Sequence, residues 1–338
     1  MKSSSIDSIN GSWKEVVARY QDPDLRRSLW QIANTFAGYI VLWGLMIWSL
    51  RISYWLTLAL AFPAAGFMVR MFIIFHDCGH GSFFKSRKAN DFVGFITGVI
   101  TFTPYYHWRY QHALHQATNN NLDRRGVGDV KMLTLREYQA LPSLGKLGYR
   151  ILRHPFFMFF IGPPLLFIFL QRYPSRPGGK REQMSVWWTD LALVGVILTM
   201  SLLFGFWKYW LVQLPISIIA TNSGVWLFFI QHQFENVYWE RQEKWDFVKA
   251  ALNGASFYKL PAVLNWFTGN IGFHHIHHLN PHIANYWLSK CYRENPIFQQ
   301  VRPLTILRSL KSLGYRLWDE EAHRLVGFNA LKLYRDQA

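Results

Sequence analysis

Four long apolar segments constrain the fold of this chain more than any other feature of its sequence. A helix needs about 20 consecutive apolar residues to cross a bilayer core of about 30 Å, and each segment is long enough. The sequence therefore predicts four transmembrane helices, over residues 29–50, 53–75, 186–206 and 209–230. Very short links around Arg51 and Lys208 join them in pairs, which predicts two helical hairpins.

The distribution of basic residues predicts how these helices are oriented. The formal net charge is +16, with five Lys and Arg in residues 1–28, fifteen in 76–185 and thirteen in 232–338. Lys and Arg mark the cytoplasmic side of a membrane protein. We therefore expect a multi-pass protein with both termini and the central region in the cytosol, in a bacterial inner membrane. The charges form no stripe beside a nucleic-acid-binding motif, so no nucleic acid partner is expected.

Three histidine clusters stand beside the apolar segments, and neutral imidazole is a common ligand of transition metals. Spacings of three and four residues place side chains on one helix face. With the predicted topology, all three clusters and His232 lie on the same side of the membrane and can converge. This predicts a metal site with more ligands than one zinc ion uses. The clusters are His76-Asp-Cys-Gly-His80, His112-Ala-Leu-His115-Gln116 and His274-His275-Ile-His277-His278.

Some histidines are expected to lie outside such a site. His107 precedes His112 by five residues, which turns it about 140° away from the shared helix face. His275 points off the face formed by the other members of its cluster, so a structural role is expected. Three histidines stand outside the clusters and are expected to be ordinary surface or core residues, namely His154, His282 and His323.

Other metal arrangements explain the clusters less well. His76 and His80 have the spacing of a zinc protease motif, but Asp77 stands where that motif needs glutamate. Haems bound between membrane helices would need ligands at mid-membrane depth, whereas these histidines lie at segment ends. Two irons fit better, because eight histidines give about four ligands to each metal and leave positions for water or oxygen.

Two shorter apolar segments and one acidic residue complete the membrane prediction. Residues 92–102 and 156–170 are each under 18 residues, and the second contains Pro163-Pro164, so half-inserted or surface-lying helices are expected. Asp190 lies inside the third long segment. It is interpreted as an interfacial residue, with a functional intramembrane acid as the alternative.

The histidine clusters and their flanking residues resemble those of the integral-membrane fatty acid desaturases, especially acyl-lipid desaturases of the delta-12 (omega-6) type. The resemblance extends from about residue 30 to residue 300 and rests on residues 76–84, 108–115, 121–129, 231–235 and 269–279. It implies one all-α domain over residues 1–338, with the two hairpins under a cytosolic helical cap that carries a di-iron site. The implied metal ligands are His76, His80, His112, His115, His232, His274, His277 and His278.

The resemblance also implies a reaction and its partners. Molecular oxygen and two iron ions would remove two hydrogens from neighbouring methylenes of a long acyl chain and leave a cis double bond. The acyl group could be carried on a lipid, coenzyme A or a carrier protein. Electrons would come from a ferredoxin-like or small haem protein, and the basic cytosolic face suits an acidic donor. A hydroxylase or related oxidase on the same scaffold is the alternative activity.

Residues around the clusters could support such a site. Several polar residues are candidates to orient the imidazoles through hydrogen bonds, namely Asp77, Asn119, Asn120, Asp129, Glu235 and Asn270. Five aromatic residues could line an acyl path or act as interfacial anchors, namely Phe83, Phe84, Trp108, Trp266 and Phe273.

Gln116 is a departure from the family pattern. The second cluster of the family ends in two adjacent histidines, and Gln116 replaces the second of them. A glutamine carbonyl binds Fe(II) more weakly than imidazole does. Three outcomes are open: the variant is tolerated, the chemistry is altered, or the chain is a non-catalytic lipid-binding membrane protein.

Overall fold

The computed structural model describes residues 13–174 and 178–335. The predicted single domain over residues 1–338 therefore includes positions 1–12, 175–177 and 336–338 outside the described residues. The helices are α1 (Trp13–Ala18), α2 (Leu25–Ser49), α3 (Tyr54–His80), α4 (Arg87–Ile100), α5 (Tyr105–Thr118), α6 (Leu135–Ala140), α7 (Ser143–Leu152), α8 (Phe157–Arg172), α9 (Lys180–Phe204), α10 (Phe206–His232), α11 (Phe247–Gly254), α12 (Ala262–Phe267), α13 (His274–Leu279), α14 (Asn285–Glu294), α15 (Ile306–Ser309) and α16 (Ala330–Arg335). Short 3₁₀ turns cover Pro296–Gln300 and Leu310–Gly314.

Within the described ranges, four helices are long and apolar enough to cross a membrane: α2, α3, α9 and α10. This confirms the four predicted spans, although their ends differ from the predicted ones. The second span was expected to end at residue 75 with the first histidine cluster after it, whereas α3 continues to His80. The helix accommodates Pro63 and Gly79 and ends at Gly81, whose φ of 71° is left-handed. Likewise, α10 extends to His232.

The membrane helices pack through small residues and through polar contacts. Ala61 and Ala64 of α3 are fully buried between α2 and α10, which brings these backbones close together. Gln213 of α10 accepts hydrogen bonds from Tyr39 Oη at 2.9 Å and Trp43 Nε1 at 3.3 Å, both on α2. These contacts hold α10 beside the α2–α3 pair, so the C-terminal ends of α3 and α10 are held in a defined arrangement.

The two shorter apolar segments differ from each other. Residues 92–102 lie mostly in α4, a regular helix that packs against α3. Residues 156–170 lie mostly in α8, where π turns precede and follow Gly162–Pro164, because each proline lacks the N–H that a regular helix needs. Helices α7 and α8 meet at 55°, the geometry of a broken span or a re-entrant loop.

Asp190 has a basic partner. Arg172, at the end of α8, donates from Nη1 to Asp190 Oδ1 at 2.6 Å and from Nη2 to the carbonyl of Phe102. Both charged side chains are partly exposed. The pair therefore ties α8 to α9, a structural role that agrees with the interfacial interpretation of this acid.

Of two small sheets, one ties the region after α10 to the central region and the other lies within the region after α10. Strands β1 (Leu133–Thr134), β4 (Leu317–Asp319) and β5 (Arg324–Val326) form one sheet, in which β1 and β4 are parallel. Strands β2 (Phe257–Lys259) and β3 (Pro303–Thr305) form a parallel pair. These long-range pairings place the segment carrying α13 against the ends of α3 and α10.

Candidate metal centre

The last turn of α3 carries the first two imidazoles. His76 and His80 are four residues apart, so they share one face, and their ring centroids lie 4.6 Å apart. His76 Nδ1 lies 3.1 Å from Asp77 Oδ1. Asp77 Oδ2 accepts hydrogen bonds from the backbone N–H (2.6 Å) and Nδ2 (2.8 Å) of Asn285 on α14. Asp77 therefore holds the His76 ring with Nε2 free and connects α3 to α14.

Helix α5 contributes two more imidazoles. His112 stacks on Trp108 at 4.3 Å between centroids, and its Nε2 lies 3.0 Å from His80 Nε2. His115 Nδ1 is in hydrogen-bond contact with Asp129 Oδ1, so its Nε2 is also free to bind a metal. Two of the three predicted orienting acids, Asp77 and Asp129, thus contact ligand imidazoles, whereas the third, Glu235, is exposed. Asn119 and Asn270 instead donate to backbone carbonyls.

His232 and helix α13 complete the arrangement. His232 Nε2 lies 3.1 Å from both His115 Nε2 and His274 Nε2. His274 Nε2 is in turn 3.0 Å from His278 Nε2. His277 points the other way, with its ring centroid 4.5 Å from that of His76. One short helix therefore supplies imidazoles to two neighbouring groups.

All eight sequence-predicted ligands converge. In the first histidine group the potential ligand atoms lie within 4.8 Å of one another; its members are His76, His80, His112 and His277. The second histidine group consists of His115, His232 and His278, which meet the same limit, and His274, which joins them through its two short contacts. His107 and His275 are buried but belong to neither group, as predicted.

The spacing of the imidazole nitrogens fits ligands that share a metal ion. With metal–nitrogen bonds of about 2.1 Å, neighbouring ligands are about 3.0 Å apart around an octahedral ion and about 3.4 Å apart around a tetrahedral one. The short Nε2–Nε2 contacts within the two groups are 3.0–3.1 Å. The nitrogens in each group are therefore close enough together to bind a single metal ion.

Burial keeps four of these imidazoles in the form that binds metal. It lowers the pKa of four cluster histidines well below the ordinary value near 6.5, and the nearby histidines lower it further; the four are His112, His274, His277 and His278. Neutral imidazoles at pH 7 offer lone pairs. A packed set of such lone pairs, with too few N–H groups between them to hydrogen bond, is stabilised when cations bind.

A cavity of about 390 Å³ opens beside both groups. His80, His112 and Gln116 face it from the first group's side, and His278 faces it from the second. The remaining lining residues are mostly apolar: Gly79, Trp108, Arg109, Ala113, Ala117, Phe247, Pro281 and His282. A small or chain-like apolar molecule can therefore come close to both groups.

A family model described as fatty acid desaturase matches residues 52–304. The chain belongs to the fatty acid desaturase family. It is 46% identical over 316 residues to the fatty acid desaturase of Bacillus subtilis, an alignment that covers 94% of this chain and 90% of that protein. The resemblance found in the sequence is confirmed at this level, and four apolar helices identify this family member as an integral membrane protein.

More distant relatives carry more specific names. A Synechocystis protein named sn-1 acyl-lipid omega-3 desaturase (ferredoxin) is 28% identical over 258 residues, which is 68% of each chain. A second Synechocystis protein, named sn-1 oleoyl-lipid 12-desaturase, is 26% identical over 223 residues, which is 64% of this chain and 61% of that protein. Relatives with acyl-lipid names are compatible with the expected subtype.

Sequence reasoning missed part of the surroundings of this centre. His282 was expected to be an ordinary residue, yet it lines the cavity together with Arg109 and Phe247, which had not been considered. Of the five aromatic residues considered for an acyl path, Trp108 alone borders this cavity. The others pack elsewhere: Phe83 and Phe84 in a core cluster, Phe273 in another, and Trp266 over the guanidinium of Arg70. Nearness in the sequence gave no information on which aromatic faces the cavity.

Proposed function

We propose that this chain is an oxygen-dependent acyl-lipid desaturase that inserts a cis double bond into a long acyl chain at a di-iron centre. The observation that carries the proposal is the meeting of two imidazole groups at the ends of two membrane helices in a member of the desaturase family. The names of the more distant relatives support an acyl-lipid substrate.

The proposed ligand set follows the two histidine groups. The first iron would be held by the first histidine group and the second iron by the second, which gives each metal four imidazoles. When bound, the two irons would supply the activation of oxygen needed to remove hydrogen from unactivated methylenes. The contacts of Asp77 and Asp129 with ligand imidazoles would fix the tautomers that present Nε2 to the metals.

The cavity gives the acyl chain a place beside the centre. Its apolar wall, formed by Trp108, Ala113, Ala117 and Phe247, would bind methylenes and exclude water from the reacting carbons. Besides the proposed ligands and Gln116, the polar side chains that line this cavity are Arg109 and His282. They would contact the polar end of a substrate rather than its methylenes.

We further propose a cytosolic centre and a separate electron donor. The ligands lie at the C-terminal ends of α3 and α10 and in the segments that follow them, where basic residues are dense. By the positive-inside rule this side is the cytosol, with both termini there and the protein in a bacterial inner membrane. A ferredoxin-like protein fits best as donor, because two relatives carry ferredoxin in their names and the chain is strongly basic.

Expression in a host without desaturases tests this function. We expect membranes containing the wild-type chain to accumulate a fatty acid with a new cis double bond, and the purified protein to bind about two irons per chain. His232→Ala removes an imidazole at the centre of the second group and should abolish the product. His154→Ala, at an exposed histidine outside both groups, is the matched control and should leave it unchanged.

The product also distinguishes the alternatives. A hydroxylated fatty acid in place of the unsaturated one would contradict desaturation while leaving the metal site intact. A protein that binds no iron and changes no fatty acid would overturn the proposal as a whole.

A further inference from the structure

Gln116 lies at the first histidine group. It follows His112 by one helical turn on α5, and its side chain is buried. Its Nε2 is 2.8 Å from His277 Nε2 and 3.4 Å from His112 Nε2. Both imidazoles belong to the first group, so the amide of Gln116 reaches the point on which that group converges.

The orientation of this amide suits a metal poorly as it stands. Its NH₂ group faces the nitrogen lone pairs that would bind a cation, whereas Oε1 is buried with no hydrogen-bond partner among the described residues. An amide has nearly the same shape with its oxygen and nitrogen exchanged. Rotation by about 180° would direct the oxygen to the cation and remove the NH₂ group from it.

We propose that the carbonyl oxygen of Gln116 is a fifth ligand of the first metal, an inference that rests on the di-iron centre proposed above. The distances of 2.8 and 3.4 Å are typical of neighbouring ligands around one metal ion. The two metals are then chemically different. One has four imidazoles and an amide oxygen, and the other has four imidazoles.

The position of Gln116 indicates from which side the first metal is accessible. Gln116, His80 and His112 line the cavity, whereas His76 and His277 do not. A neutral amide oxygen binds a divalent transition metal more weakly than an imidazole does. The weakest ligand of the first metal therefore lies on the side of that metal that faces the cavity. A molecule that enters from the cavity would displace this ligand first.

Mössbauer spectroscopy of the full-length protein loaded with two equivalents of ⁵⁷Fe(II) tests the proposal without measuring activity. We expect the wild-type protein to show two doublets of equal area and different parameters. Gln116→Leu should shift one doublet and leave the other in place, and Gln116→His should shift the same one. Tyr110→His is the matched control, because it adds an imidazole to the same helix at an exposed position at least about 120° away from His112, His115 and Gln116; its spectrum should match the wild type.

Release of iron to a chelator provides a second measurement. Gln116→Leu should lose one of its two irons about tenfold faster than wild type, because it lacks one ligand, and the other at an unchanged rate. Two unchanged doublets and unchanged release in Gln116→Leu would overturn the proposal, and so would equal shifts of both doublets, since these indicate general repacking. Failure of the wild-type protein to bind two irons would instead contradict the proposed function itself.

Discussion

Replacing Asp77 with asparagine tests how the protein controls its first metal site. One carboxylate oxygen of Asp77 lies 3.1 Å from His76 Nδ1, and the other accepts two hydrogen bonds from Asn285. An asparagine has one oxygen, which the two donors of Asn285 would hold. Its NH₂ group would then face His76 Nδ1 and favour the tautomer whose proton is on Nε2, the atom that must bind the metal.

The expected loss follows from this tautomer change. Replacing a residue that orients a metal-bound histidine typically lowers metal affinity 10–100-fold, which corresponds to about 1.4–2.7 kcal/mol of binding free energy. Because Asp77 contacts a member of the first group, we expect Asp77→Asn to weaken one of the two metal-binding equilibria by this factor and to leave the other unchanged. Asp129→Asn, through His115, should weaken the other equilibrium.

Competition with a chelator of known affinity, at equilibrium in detergent or nanodiscs, measures both binding steps. Asp91→Asn is the control, because Asp91 pairs with Arg109 and Arg181 and contacts no metal-binding imidazole. Two unchanged affinities in Asp77→Asn would refute the reasoning. Equal weakening of both sites would also refute it, because it would show loss of the whole fold rather than of one oriented ligand.

Three further predictions follow from the structure. Protein without bound metal should lose thermal stability as the pH falls below about 6.5. The four histidines with lowered pKa then become protonated in the unfolded chain but stay neutral in the folded protein, which costs about 1.4 kcal/mol of folding stability per pH unit for each histidine. A melting temperature that is flat from pH 7 to pH 5 would contradict this. Gly98→Ala should destabilise the protein by about 1–3 kcal/mol, because the new Cβ would lie 2.6 Å from the carbonyl oxygen of Thr103. An unchanged denaturation midpoint would count against the packing described for α4. Arg172→Gln should lower thermal stability in detergent by removing the partner of Asp190. Adding Asp190→Asn to the same chain should recover part of the loss. A melting temperature that is unchanged in Arg172→Gln alone would show that the pair contributes nothing to stability.

The membrane helices were predictable from the sequence because apolar length alone determines whether a segment can cross a bilayer. The ends of these helices were less predictable. Nothing in the apolar pattern indicates that α3 continues to His80, because the polar residues of the first cluster resemble the start of a loop. The helix ends instead at Gly81, where the backbone turns left-handed. Helix α8 is irregular for a local reason that the sequence shows, the adjacent prolines Pro163 and Pro164.

The convergence of the histidines could be predicted from two patterns. Their spacing places the members of a cluster on one helix face, and the charge pattern predicts that all clusters lie on the same side of the membrane. The division of the histidines into two groups could not be predicted, since it depends on tertiary contacts. His277 and His278 are neighbours in sequence but belong to different groups because their side chains leave α13 in different directions. The Asp77–Asn285 contact joins residues 208 positions apart, and no local pattern indicates it.

Anomalous diffraction at the iron edge, from crystals of the iron-loaded full-length protein, tests the central claim most directly. We predict two iron peaks per chain, one surrounded by His76, His80, His112 and His277 and the other by His115, His232, His274 and His278. A single peak, or iron bound away from these imidazoles, would contradict the di-iron centre on which the proposed function depends.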